Sequence, residues 1–206
     1  MTPTGFWLIR HAVVEENVRA ILYGVLDVPV CETSMREQAP MYRALAKRLP
    51  RQAQWKVTPL SRTRRTAQAI FAVGYPEAEL VEEPGMMEQS LGEWQGLPHA
   101  DLPAKLAEPA HPFWPLRGHE MPPGGESMVQ VIARVGTSLE RLALQHPGGD
   151  VVIVSHGGAI RAALAHALRI EPDSALHLSV QNLSLTRLER HDSAWRIVCV
   201  NELSGY

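Results

Sequence analysis

Two short apolar runs constrain this chain more than anything else in it: GFWLIRH at residues 5–11 and DVVIVSH at 150–156. Each is long enough for one strand, is apolar at consecutive rather than alternate positions, and stops on a histidine. A strand that is apolar on both faces belongs to a parallel sheet covered by helices on two sides. The rest of the chain alternates as such a sheet requires. QWKVT (54–58) and AELVEEP (78–84) read as further strands. MREQAPMYRALAKRL (35–49), SRTRRTAQAIFAV (61–73), ESMVQVIARVGTSLERLALQH (126–146) and GGAIRAALAHALRI after His156 read as helices. The first carries Met41, Leu45 and Leu49 at fourfold spacing and is interrupted or started near Pro40. The third is the strongest, with one stripe of Met128, Val131, Ile132, Val135, Leu139 and Leu142, and PGG stops it. The tail, NLSLTRLER and AWRIVCV around HDS, alternates like a hairpin. The expectation is an α/β fold, a three-layer α/β/α sandwich with a mainly parallel central sheet and helices on both faces.

The 206 residues suit a single domain over 1–206. With 45% hydrophobic and 20% charged residues the composition is that of an ordinary soluble globular protein. A formal charge of -2 argues against a nucleic-acid partner, which calls for a strongly basic face. No apolar run approaches the roughly 18 residues that cross a bilayer, so no membrane partner is expected. Cys31 and Cys199 match no metal or redox spacing and read as free thiols in a reducing compartment. GFWLI is too short for a signal segment, so the expected location is the cytoplasm. A homodimer is compatible with all of this. From Pro98 to Gly125 prolines and glycines are dense, and the stretch reads as a lid-like insertion with a short helical piece around Ala104 to Ala107. Phe113 and Trp114 would pack it down.

In an open parallel sheet, ligands bind outside the carboxyl ends of the strands. His11 and His156 would therefore rise at the same edge, with Arg10 beside the first and a Gly-Gly helix start after the second. Arg62 falls in the first turn of its helix, where free N–H groups and the dipole favour anions; Arg64 and Arg65 read as solvated. Two histidines and two arginines near helix N-termini describe a pocket for a tetrahedral dianion. No HxH or HExxH spacing exists, and adjacent arginines repel a divalent cation, so neither a metal nor a cofactor is expected. The partner implied is a small-molecule phosphomonoester. Phosphoryl transfer needs a nucleophile, cationic clamps and a proton for the leaving oxygen. A neutral imidazole can serve as the first. MEQSLGEWQG offers Glu88 and Glu93 for the last, and spacing does not choose between them.

Together these stretches resemble the histidine phosphatase superfamily, in its phosphoglycerate-mutase-like branch. LIRH is similar to the family's opening Arg-His-Gly signature, which implies His11 as the phosphate-accepting nucleophile and Arg10 as a clamp. TPLSRTRRTAQAI resembles the segment that carries the second clamp, here Arg62. EQSLGEWQG resembles the proton-donor segment and selects Glu88. VVIVSHGGAI resembles the segment of the second pocket histidine, His156, with the Gly157 amide close by. Asn17 matches a phosphate-contacting asparagine, and YGVLDVPV resembles the loop whose backbone near Gly24 lines the pocket. The chain departs from the family at Ala12, where a glycine is usual, and at VCETSM, which replaces a glycine-containing turn. PPGGES resembles α-ribazole phosphatase and broad-specificity members, and only Lys105 and Arg117 stand before it as basic residues in the segment. That implies a metal-independent phosphomonoesterase acting through a phosphohistidine, rather than a cofactor-dependent mutase or a non-catalytic phosphate-binding module. Within GGES, Gly124 and Gly125 make the turn and Glu126 or Ser127 satisfies the helix N-terminus. His99, His111 and His119 read as surface residues, and Arg161 as solvated.

Overall fold

The computed structural model describes residues 2–203, and its centre is one six-stranded sheet. The strands are β1 (Thr4–Arg10), β2 (Gln54–Val57), β3 (Leu80–Glu82), β4 (Asp150–Ser155), β5 (Leu185–Arg190) and β6 (Trp195–Glu202). They lie in the order β3-β2-β4-β1-β5-β6. The first four in that order are parallel, while β5 runs antiparallel to β1 and pairs with β6 as the expected hairpin.

Burial on both faces explains why β1 and β4 are apolar throughout. Side chains of a strand alternate between faces, and here each face meets its own core. Phe6, Leu8, Val151 and Ile153 point to a core completed by α4 (Met128–Gln145), α5 (Gly157–Leu168) and α6 (Pro172–Leu176). Trp7, Ile9, Val152 and Val154 point the other way, to a core shared with α2 (Ala39–Arg48) and α3 (Ser61–Ala72). The three layers expected from the sequence are therefore present. The 35–49 helix is divided into α1 (Glu32–Glu37) and α2, with Pro40 at the start of the second, where its missing N–H costs nothing. Ser127 caps α4: its hydroxyl accepts from the Gln130 N–H while Gln130 Oε1 accepts from the Ser127 N–H. Arg169, at φ 54°, ends α5 in the left-handed region without a glycine.

The 98–125 segment differs from expectation in three ways. Its ordered piece is a 3-10 turn over His99–Ala104 rather than a helix at 104–107, consistent with Pro103 inside it. Trp114 and Leu116 pack with Leu22, Leu91, Trp94 and Leu102 in a third, smaller apolar cluster, but Phe113 is 63% exposed. His111 is buried rather than on the surface, with its ring 4.7 Å from that of His177. Burial, then the neighbouring His177, holds its pKa below the ordinary histidine value.

Candidate active site

Parallel pairing of β1 with β4 aligns Arg10 with Ser155, so the residues that follow, His11 and His156, leave the sheet at one level. Their rings are 5.1 Å apart. β2 pairs on the far side of β4 with Val57 opposite Val154, which brings Thr58 to the same edge. Thr58 Oγ1 lies 2.9 Å from His156 Nε2. Arg62, one turn further on in α3, is fully buried. Its guanidinium donates to the carbonyls of Gly24 (2.8 Å) and Leu26 (2.7 Å) and, through Nε, to His156 Nδ1 (3.3 Å). These bonds fix the His156 tautomer. Nδ1 accepts, so Nε2 carries the proton and donates to Thr58.

His11 is fixed by the same reasoning. Its Nδ1 lies 2.7 Å from the Ala12 carbonyl, which can only accept, so Nδ1 carries the proton and Nε2 keeps its lone pair. Burial, reinforced by the charges of Arg62 and Arg10, holds the His11 pKa well below the ordinary value, against the opposing pull of the Ala12 carbonyl. His156 is lowered by burial and then by Arg62, His11 and Arg10. Both imidazoles are therefore neutral at neutral pH. Ala12 itself is buried, has no positive φ, and gives its N–H to Thr66 Oγ1 at 2.9 Å. The methyl that replaces the family glycine packs among the apolar residues of the α2/α3 core. Arg10 spans to the Val180 carbonyl through one terminal nitrogen (2.6 Å), while its Nε is buried with no acceptor among the described residues.

Glu88 is the carboxylate that joins this group; Glu93 is exposed. Glu88 Oε1 accepts from the Gln89 N–H (2.9 Å) and Oε2 from the Gly158 N–H (3.1 Å) in the first turn of α5. Gly158 allows this approach: a β-carbon there would lie 2.2 Å from Glu88 Oε1, while one on Gly157 would meet the Arg161 guanidinium at 3.1 Å. Gly24, at φ +41°, offers the carbonyl that Arg62 uses and has the Gln89 carbonyl 2.9 Å from where a β-carbon would sit. An open cavity of about 290 Å³ meets this edge, with Arg10, Gly24 and Glu88 in its wall beside Arg19, Tyr23 and Trp114.

The structure thus brings together Arg10, His11, Gly24, Arg62, Glu88, His156 and Gly157. It does not bring in Asn17, which is exposed on the 3-10 turn Glu16–Val18 and stands outside the cavity wall. Arg64, half-buried, and Arg65, exposed, pair with Glu82 and Glu32. His99, exposed, lies on the cavity rim.

Arg161 is the clearest correction. It is 7% exposed rather than solvated, donates to the carbonyls of Leu178 (2.8 Å) and Gly157 (3.1 Å), and stacks 4.7 Å from the Trp114 ring. Burial and the charge of Arg10 lower its pKa to about 10, which leaves it charged at neutral pH. Sequence reasoning gave no role to Asn182, whose amide donates to the His11 carbonyl at 2.7 Å, or to Thr58 and Thr66. Thr58 and Thr66 stand inside the quoted TPLSRTRRTAQAI segment; Asn182 precedes the tail hairpin with no local signal.

Known proteins resemble this chain over most of its length. The family model of the histidine phosphatase superfamily (branch 1) matches residues 6–203. The metal-independent phosphoserine phosphatase of Arabidopsis thaliana is 28% identical over 202 residues, covering 98% of this chain and 82% of that protein. Glucosyl-3-phosphoglycerate phosphatase of Mycobacterium tuberculosis is 30% identical over 194 residues, 89% of this chain and 84% of that protein. A solved structure of the mycobacterial glucosyl-3-phosphoglycerate phosphatase superposes with a TM-score of 0.82 at 28% identity, over 97% of this chain and 99% of that one. The chain belongs to the histidine phosphatase superfamily, branch 1, and is a phosphoric monoester hydrolase of that family.

Proposed function

We propose that the protein hydrolyses small phosphomonoesters without a metal, through a phosphohistidine on His11. The observation that carries this reading is the His11 tautomer: a buried, neutral imidazole whose Nδ1–H is held by the Ala12 carbonyl and whose Nε2 lone pair has no hydrogen-bond partner among the described residues. In the first step the Nε2 lone pair forms the N–P bond as the ester P–O bond breaks. Glu88 gives its proton to the departing oxygen. In the second, Glu88 takes a proton from water, the new O–P bond forms, the N–P bond breaks, and inorganic phosphate leaves with His11 neutral again. Arg10, with its unpartnered Nε, Arg62 and the α5 N-terminus at Gly157 balance the charge on the non-bridging oxygens. The site is assembled from one chain.

The cavity and the relatives support a leaving group that carries a carboxylate. Those two relatives carry names that specify phosphorylated organic acids, phosphoserine and glucosyl-3-phosphoglycerate. In this chain Arg19, its Nε anchored on the Val14 carbonyl at 2.8 Å, stands in the cavity wall where a substrate carboxylate would arrive. Tyr23 and Trp114 give the same wall apolar faces for the rest of the leaving group. A mutase would need further cations around the departing group. Of the two basic residues between Gly96 and Gly124, Arg117 is turned to the Pro109 carbonyl and to Asp173. The cytoplasm is the setting this reading assigns, on the strength of two unpaired cysteines.

Rapid acid-free quenching during turnover of a radiolabelled phosphomonoester tests the proposal. The expected result is one labelled phosphoryl group per chain, stable to base and labile to acid, absent in His11→Ala, with steady-state hydrolysis insensitive to EDTA. Hydrolysis that survives His11→Ala, or that chelation abolishes, would overturn it.

A further inference from the structure

We infer that Arg134 and Glu126 form a clamp that positions Glu88 for proton transfer, although neither touches the reacting atoms. The inference rests on the reading of Glu88 as the acid, and the test separates the two. Arg134 projects from the second turn of α4, and all five of its guanidinium N–H groups are used. Nε donates to Glu126 Oε1 (2.7 Å) and one terminal N–H to Glu126 Oε2 (3.0 Å). The other three reach the carbonyls of Gly85 (2.9 Å), Met87 (2.9 Å) and Glu88 (2.9 Å). One side chain thus ties three of the four carbonyls from Gly85 to Glu88 to a rigid helix.

Glu126 completes the frame from the other side of Glu88. Its Oε2 also accepts the Ser90 N–H at 2.9 Å, its carbonyl takes the Gln89 amide at 2.7 Å, and its own N–H goes to the Ser90 carbonyl. Burial pushes the Glu126 carboxyl up, but Arg134 and the Ser90 N–H outweigh it and hold the pKa below its ordinary value. The pair therefore stays ionised over the working range. Residues 85–90 belong to no strand or α-helix, so their placement depends on such bonds rather than on a ladder. Lysine could not replace Arg134, because three donors on one atom cannot span carbonyls spread over this loop together with both carboxylate oxygens.

A misplaced acid has a signature that a merely loosened fold lacks. Expelling p-nitrophenolate needs little protonation, whereas expelling an alkoxide needs a proton in the transition state. Pre-steady-state phosphoryl transfer to His11 is measured with p-nitrophenyl phosphate and with an alkyl phosphate, in the parent and in Arg134→Met, Arg134→Lys and Glu126→Gln. Glu88→Gln is the reference for complete loss of the acid. The expected result for Arg134→Met and Arg134→Lys is p-nitrophenyl phosphate transfer within about threefold of the parent and alkyl transfer down by about tenfold or more. Glu126→Gln, which keeps its size and one carbonyl oxygen, should show the same selectivity more weakly and tests the clamp even if the Arg134 variants do not fold. Equal losses on both substrates, or no selective loss in Glu126→Gln, would overturn the clamp. Absence of leaving-group dependence in Glu88→Gln would instead overturn the role of Glu88.

Discussion

Replacing Gly158 by alanine adds one methyl group in the first turn of α5, where the Glu88 carboxylate is seated. A β-carbon built there lies 2.2 Å from Glu88 Oε1, against about 3.4 Å for an ordinary contact. The carboxylate must retreat by roughly 1 Å, and it can, because it is the far end of a flexible side chain. Gly158 is helical and has no positive φ, so the backbone accepts alanine and gains up to about 1 kcal/mol of helix propensity. A displacement of about 1 Å in a catalytic group costs on the order of 100-fold in rate, or about 2.7 kcal/mol of barrier. The expected outcome is therefore a variant that melts no lower than the parent, yet hydrolyses an alkyl phosphomonoester about 100-fold more slowly in kcat. Differential scanning fluorimetry and a phosphate-release assay on the same preparation read both quantities. Retention of activity within about threefold would refute the placement of Glu88 against α5. A fall in melting temperature matching the loss of activity would refute the claim that the carboxylate, with a few tenths of an ångström from the Trp114 ring 3.3 Å away, takes up the methyl.

Three further outcomes follow from the same structure. His11 and His156 have pKa values well below 6.5 in the folded state, so the unfolded chain binds more protons below pH 6.5. Their contribution to stability is complete above about pH 6.5 and is lost as the pH falls, by up to about 1.4 kcal/mol per pH unit for each histidine. His111 and His146 add to the loss with the same sign. Urea midpoints at pH 7.5, 6.5 and 5.5 check this, and a flat profile between the last two would contradict it. Arg62→Lys strands the buried Gly24 carbonyl, the half-buried Leu26 carbonyl and the His156 Nδ1, so it should destabilise by about 1–3 kcal/mol and lower kcat by about 100-fold or more. Urea unfolding and steady-state kinetics measure the two effects. Ala12→Gly should restore the family residue with no gain in activity and a stability loss of about 1 kcal/mol, since the methyl is buried and the backbone needs no positive φ.

The sheet was legible in the sequence because burial on both faces leaves a local mark: a strand with no polar position has no solvent side. The same logic made the two histidines legible, since a titratable side chain ending such a strand sits at its carboxyl end, where a parallel sheet opens. Glu88 needed more than composition. It and Glu93 stand five residues apart in one irregular stretch, and only the resemblance chose between them. The structure gives the physical ground: Glu88 meets the α5 N-terminus while Glu93 faces solvent.

What only the tertiary structure decided are contacts between segments that share no local pattern. Arg161 read as a solvated helix charge because its neighbours Trp114 and the Leu178 carbonyl lie 47 and 17 residues away, one in the 98–125 segment and the other just after α6, and only packing brings both to α5. Arg134 lies on the polar side of an amphipathic helix, where sequence favours a surface charge, and its five acceptors come from two loops. Phe113 and Trp114 are adjacent, aromatic and alike to any local reading, yet one is exposed and the other packs into the cavity wall. Hydrophobic periodicity is a property of one segment and its environment, so the sequence carries it. The partner of a long polar side chain is a property of two segments, and only folding brings those together.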